Sequence, residues 1–219
     1  MDDRQSIDLA AMLCSRLCHD MLSPVGALSN GIELLTLETD PEMRANVMQL
    51  LEQSARISTD KLKFFRLAFG AAGGFGERVD IEEPKALIEA LIADKPGITI
   101  NWALAGANLA KPAVKVLLNF AQIGIDSLVR GGTLDIGAEI RNGASEIVVR
   151  AAGPKIAFDD TIGKALDGSL DRSELSSRTA AAHMIALLAE ENGGGLQYAR
   201  TDDALVLGAV LPESGDLIG

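Results

Sequence analysis

Histidine and cysteine are scarce in this chain of 219 residues, which holds two of each: His19 and His183, Cys14 and Cys18. Two thiols four residues apart on one helix give no disulfide framework, and they suit a reducing compartment, the cytoplasm. Structural zinc asks for four such ligands, and His19 points away from the two thiols. No metal site is expected; the cysteines read as small side chains in a helix seam. Basic residues are also short, 20 Lys and Arg against 31 Asp and Glu, for a net charge of -11 and a pI near 4.6. Nucleic-acid binding needs a basic footprint, so that class is excluded. No apolar run approaches the ~20 residues of a membrane span, and Met1-Asp2-Asp3-Arg4-Gln5 lacks the form of a signal peptide. With 47% hydrophobic and 23% charged residues, the chain has the balance of an ordinary globular protein.

The most informative stretch is Ser15-Arg16-Leu17-Cys18-His19-Asp20-Met21-Leu22-Ser23-Pro24. Leu17, Met21, Val25, Leu28, Ile32 and Leu35 recur at spacings of three and four, the period of one helix face. At ~100° per residue His19 sits about 160° from Leu17 and Met21, away from any core. It shares its face with Ser15, Ser23, Gly26 and Asn30, which leave the surface low and flat. Pro24 has no N–H to offer the carbonyl of Asp20, so a kink or loosened turn is expected just after His19. The Asp20 carboxylate can hold one imidazole nitrogen and leave the other free as a nucleophile.

The first helix is expected from about Ser6 to Glu38. Thr39-Asp40-Pro41-Glu42 then makes a turn, with Asp40 as cap and Pro41 at the first helical position of a second helix. That helix ends in Gly70-Ala71-Ala72-Gly73-Gly74. The domains are therefore residues 1–74 and 75–219. Two helices of about thirty residues cannot enclose a core, and a second copy would complete a four-helix bundle; a homodimer is expected. The second domain mixes helix and strand. Strands are expected at Val79–Ile81, Ile98–Trp102, Leu134–Ile140, Glu146–Arg150, Leu196–Arg200 and Leu205–Leu211, with a hairpin turn at Asn142-Gly143. Helices are expected from Pro84 to Ala93, from Pro112 to Leu128 and from Ser176 to Glu191. This order makes a two-layer α/β sandwich with one sheet face covered.

A hairpin carrying His19-Asp20-Met21-Leu22-Ser23-Pro24, followed by this α/β order, resembles the dimerisation and ATPase halves of a sensor histidine kinase. Against the ATP-binding boxes of that family the second half departs at each position. Asn119 matches the first asparagine of the first box, but Ile123 stands at the magnesium-binding one and has no oxygen for a hard cation. The next box is Asp-x-Gly-x-Gly; Ala151 replaces its aspartate and Lys155 its second glycine. The last box is a glycine-rich loop that cradles phosphates, and Leu175-Ser176-Ser177-Arg178-Thr179-Ala180-Ala181-Ala182 contains no glycine. A phosphorylatable histidine beside a degenerate ATPase domain is similar to the ChpT-type histidine phosphotransferases of the alphaproteobacterial cell-cycle phosphorelay.

That resemblance implies a histidine phosphotransferase, cytoplasmic and homodimeric. His19 would take a phosphoryl group from the receiver domain of a hybrid histidine kinase and pass it to receiver aspartates of response regulators. Asp20 would orient the imidazole. No cofactor is expected on this chain, since magnesium arrives with the partner. For receiver docking the hairpin surface offers Leu22, Ser23, Gly26, Ala27 and Asn30, with Asn46, Gln49, Gln53 and Arg56 brought near if residue i lies level with about 79 minus i. An ATP-using kinase and a receiver-binding scaffold are the alternatives. A Cys18–His19 hydrolase lacks an orienting group, and neighbouring helix residues do not face each other. His183, beside Met184 and Ile185, reads as a packed or surface residue.

Overall fold

A computed structural model describes residues 3–70 and 78–213. The chain divides into two compact units, residues 1–65 and 66–219. The boundary expected at residue 74, with Ala71 to Gly74 of the glycine-rich stop, lies outside the described residues.

The first unit is a helical hairpin. Helix α1 spans Asp3–Leu37 and begins ahead of the expected Ser6; helix α2 spans Pro41–Phe69, and its last turn belongs to the second unit. The turn between them is tied by its own side chains. Asp40 accepts from the Glu42 N–H at 3.0 Å, as expected of a cap. The Glu38 carboxylate accepts from the N–H groups of Thr39 and Asp40 at 2.8 and 2.9 Å. Arg44 reaches back and donates to the carbonyls of Leu35 and Glu38 at 2.7 and 2.8 Å, groups with no helical partner at the end of α1.

Small residues line the seam. Pro24 and Gly31 are buried on α1, and Val47, Ser54 and Ser58 on α2. A Cβ on Gly31 would lie 2.7 Å from the Leu51 side chain, so the helices close over that glycine. The expected apolar stripe is only partly this seam. Leu17, Met21, Leu28 and Leu35 are partly buried, while Val25 and Ile32 are 49% and 59% exposed. The reason is geometric: one helix covers only one side of another. Cys14 and Cys18 are exposed, not seated in the seam. The seam follows Pro24 and Gly31, and at ~100° per residue Cys18 is turned about 120° from Pro24.

The second unit contains strand β1 (Arg78–Asp80), helix α3 (Glu82–Ile92), β2 (Ile98–Leu104), β3 (Asn108–Ala110) and α4 (Lys111–Ser127). It continues with β4 (Gly132–Arg141), β5 (Ala144–Ala152), α5 (Asp160–Leu166), α6 (Ala180–Glu191), β6 (Gly195–Arg200) and β7 (Ala204–Pro212). Five strands form one sheet in the order β2-β4-β5-β7-β6, with β2 parallel to β4 and the other pairs antiparallel. Helices α4 and α6 lie on one face. Leu117, Leu118 and Phe120 of α4 are buried with Leu134, Ile136, Ile147, Leu205 and Leu207 of the sheet. Gly124 lets α4 approach closely, since a Cβ there would lie 2.7 Å from Leu134. The opposite face is polar in part: Asn101 and Arg150 donate to the two oxygens of Asp135, at 2.8 and 2.9 Å. The Asn142-Gly143 turn is found, with φ of 51° and 75°, the pairing a two-residue hairpin requires.

Two local expectations change. Strand β3, which pairs with β1, is three residues long, too short for alternation to announce. Helix α6 begins at Ala180 and not at Ser176. The Ser176 N–H donates to Thr179 Oγ1 at 3.0 Å and the Thr179 N–H returns to the Ser176 carbonyl at 3.1 Å, closing a turn ahead of the helix. No helix among the described residues is long and apolar enough to cross a membrane.

Candidate functional site

His19 stands on the outer side of α1 with its side chain 86% exposed. Its Nδ1 lies 3.1 Å from Asp20 Oδ1. An ionised carboxylate only accepts, so Nδ1 carries the proton there and Nε2 presents its lone pair to solvent. The Asp20 side chain is held in turn: Arg16 Nε lies 3.8 Å from its other oxygen, one helical turn back. The result is a short chain, Arg16 to Asp20 to His19, that fixes which imidazole nitrogen is free.

Pro24 is buried, and α1 runs through it as one helix. The Asp20 carbonyl, which loses the N–H of residue 24, accepts instead from Lys61 Nζ of α2 at 2.9 Å. Lys61 and Arg16 are the two members of this site that the sequence reading leaves out. A signal for Lys61 existed: the proline leaves a carbonyl without a donor, and a cation at the matching level of α2 is the simplest replacement.

The expected docking residues all lie on the hairpin. Leu22 is 71% exposed, Ser23 and Asn30 are exposed, and Gly26 and Ala27 are half-buried. A Cβ on Gly26 would meet nothing within 4 Å, so this patch is open. Gln49, Gln53 and Arg56 are exposed on α2. The level at which they meet α1 differs from the expected one. Gly31 meets Leu51 and Asp20 meets Lys61, so residue i lies level with about 82 minus i, not 79 minus i. Arg56 is therefore level with Gly26, and Gln53 with Ser29.

The second unit holds the positions compared above with the kinase ATP-binding boxes. Asn119 is buried, its amide donating to the Lys115 carbonyl of its own helix at 2.8 Å. Ile123 and Ala151 are buried and apolar, and Lys155 is exposed. The segment ahead of α6 is tied by carboxylates that each accept both the N–H and the hydroxyl two residues on: Asp159 from Thr161, Asp167 from Ser169, and Asp171 from Ser173. Asp159 also receives Arg178 at 3.1 Å. The Thr161 hydroxyl, the Thr161 N–H and then Arg178 hold the Asp159 carboxyl below its ordinary value. His183 is half-buried; desolvation, and then the charge of Arg172, push its imidazole below the ordinary value. Among the described residues no group of three or more His, Cys, Asp or Glu is placed to hold a metal ion.

Asp159 also gives a pH signature. Its folded value is depressed, so its contribution is present above the ordinary value of 3.8 and is lost as pH falls through the folded one. Asp159 is the N-cap of α5, and Asp159→Ala should cost about 1 kcal/mol near neutral pH, as loss of a helix cap does, in urea unfolding followed by circular dichroism. The gap to wild type should narrow on acidification below 3.8, and a gap that stays constant would count against this role.

The chain thus presents a His-Asp-x-x-x-Pro motif on a helical hairpin, followed by a mixed five-stranded sheet with helices on one face. Residues 81–204 match the histidine phosphotransferase C-terminal domain family. The chain is 34% identical over 205 residues to protein phosphotransferase ChpT of Brucella abortus (strain 2308), covering 93% of this chain and 96% of that one. It is also similar to a solved bacterial phosphotransferase structure, with a TM-score of 0.79, 31% identity, and coverage of 93% and 96%. The histidine kinase AdeS of Acinetobacter baumannii aligns over 90% of this chain and 98% of its own, at 14% identity and a TM-score of 0.48. The chain belongs to the histidine phosphotransferase family.

Proposed function

We propose that this chain relays a phosphoryl group through His19, from the receiver domain of a hybrid histidine kinase to the receiver aspartates of response regulators. The observation that carries the reading is the exposed imidazole whose Nδ1 is held by Asp20, leaving Nε2 as the nucleophile. In the forward step the Nε2 lone pair attacks the phosphorus of a receiver aspartyl phosphate. The P–N bond forms as the P–O bond to the aspartate breaks, and the aspartate leaves as a carboxylate. Positive charge on the imidazole is shared with Nδ1–H, which Asp20 faces. In the second step a new receiver aspartate attacks the same phosphorus and Nε2 leaves as a neutral imidazole nitrogen. Magnesium of the receiver's own site meets the charge on the transferring group, so this chain contributes mostly position.

The reading has the chain working without ATP. Ile123 and Ala151 offer no oxygen where the kinase boxes have asparagine and aspartate, and the phosphate loop has no glycine. It also has the chain working as a homodimer in the cytoplasm, where Cys14 and Cys18 stay reduced. Val25 and Ile32, with Leu37 at 81% exposure and Leu62 at 50%, are apolar surface that a second hairpin would cover in a four-helix bundle. Equilibrium sedimentation at micromolar concentration should give the dimer mass, and a monomer throughout would sink that part. Receivers dock on Leu22, Ser23, Gly26, Ala27 and Asn30, with Gln49, Gln53 and Arg56 of α2.

The test of the whole is transfer from a radiolabelled, phosphorylated receiver domain, beside a control with labelled ATP alone. Acid-labile label from the receiver and none from ATP is the expected result. Label taken from ATP would restore the kinase reading, and binding of the receiver without label would leave a scaffold.

A further inference from the structure

We propose that Lys61 is a positioning residue for His19: it supplies the hydrogen bond that Pro24 removes from the Asp20 carbonyl, and so sets the turn from which the imidazole projects. In an uninterrupted helix the N–H of residue 24 would donate to that carbonyl. Proline has none, and its ring crowds the same oxygen. Lys61 Nζ fills the gap from the other helix, 2.9 Å away and 41 residues along the chain. The ammonium is partly buried.

The residue whose carbonyl is held in this way is the one whose carboxylate holds His19 Nδ1. Asp20 is thus hydrogen-bonded at Oδ1 by His19 and at the backbone oxygen by Lys61, while the charge of Arg16 lies 3.8 Å from Oδ2. If the backbone oxygen is released, the Asp20–Met21 peptide plane can rotate. The side chain of Asp20 rotates with it, and Nε2 loses its fixed aim at the incoming phosphorus. Small displacements of a nucleophile cost rate far more than affinity. Lys61 therefore acts through Asp20 and touches neither the phosphoryl group nor the receiver's reacting atoms.

This inference rests on His19 as the phosphoacceptor, and the experiment separates the two. Single-turnover transfer from a phosphorylated receiver is measured across receiver concentrations for the full-length wild type, Lys61→Met, Lys61→Arg, Pro24→Ala and the Pro24→Ala/Lys61→Met pair. Lys61→Met should lower the rate at saturating receiver about tenfold, the loss of one charge-assisted hydrogen bond, with the half-saturating concentration unchanged. Lys61→Arg should recover most of that rate. In the Pro24→Ala background the backbone N–H is restored, so Lys61→Met should change the rate by less than about twofold. A Lys61→Met protein that transfers like wild type would overturn the inference and leave the relay reading standing. An equal loss in both backgrounds would also overturn it, because that is the signature of general destabilisation. A wild type that takes no label on His19 would overturn both.

Discussion

His19→Gln should take up no phosphate from a phosphorylated receiver, a loss of at least about ten-thousandfold, because the group that would form the covalent bond is removed. Glutamine can hydrogen-bond to Asp20 much as the imidazole does, but its amide nitrogen has no available lone pair. The side chain is 86% exposed, so the exchange removes chemistry and leaves packing alone. Helicity and sedimentation should match wild type while the label is gone. Asp20→Asn should differ in kind. It keeps an acceptor at Nδ1 but loses the negative charge that faces the imidazolium, and transfer should slow by about ten- to a hundredfold without vanishing. Full labelling of His19→Gln would move the acceptor elsewhere. His183, the other histidine, is half-buried on α6 and would then need testing.

Gly26→Trp should block transfer from a receiver, by about a hundredfold or more, while His19 still reacts with a small donor such as phosphoramidate. Gly26 lies seven residues after His19, on the same helix face at ~100° per residue. A Cβ there meets nothing within 4 Å, so a side chain leaves the helix into open space, on the face where a receiver is proposed to dock. Helix propensity favours the change slightly, by about 0.5 kcal/mol, so the hairpin should not unfold. The two donors separate docking from chemistry. Equal loss with both would mean that the substitution had disturbed His19 itself, and normal receiver transfer would mean that docking lies elsewhere.

The long elements were legible because their ends are chemical. Asp40 caps α2 through the Glu42 N–H, Pro41 opens it, and Asn142-Gly143 turns the β4–β5 hairpin. The His19–Asp20 pair was legible for a similar reason, since the two residues are adjacent and their chemistry is local. What depended on contact between distant residues was not. The level of α2 against α1 is set where Leu51 closes over Gly31, and no periodicity in either helix reports that contact. The same blindness put Cys14 and Cys18 in the seam. Apolar spacing marks the whole of an amphipathic face, whereas the seam follows the buried Pro24 and Gly31, where the glycine admits Leu51. Thr179 hid the start of α6: residues 176–179 are compatible with a helix, but a hydroxyl that accepts from the Ser176 N–H offers the backbone a rival.

The apolar side chains left uncovered on the hairpin would, in the proposed homodimer, make dilution a variable of this molecule. With Val25 49%, Ile32 59% and Leu37 81% exposed, a lone hairpin keeps in water much of the surface that would stabilise it. With the homodimer proposed above, its folding free energy would include a mass-action term, and melting temperature should climb with protein concentration; a melting temperature independent of concentration would count against the pair. On that proposal, a cell that lowered the copy number of such a protein would lose competent relays faster than it lost chains, since the fraction of folded pairs would fall along with the total.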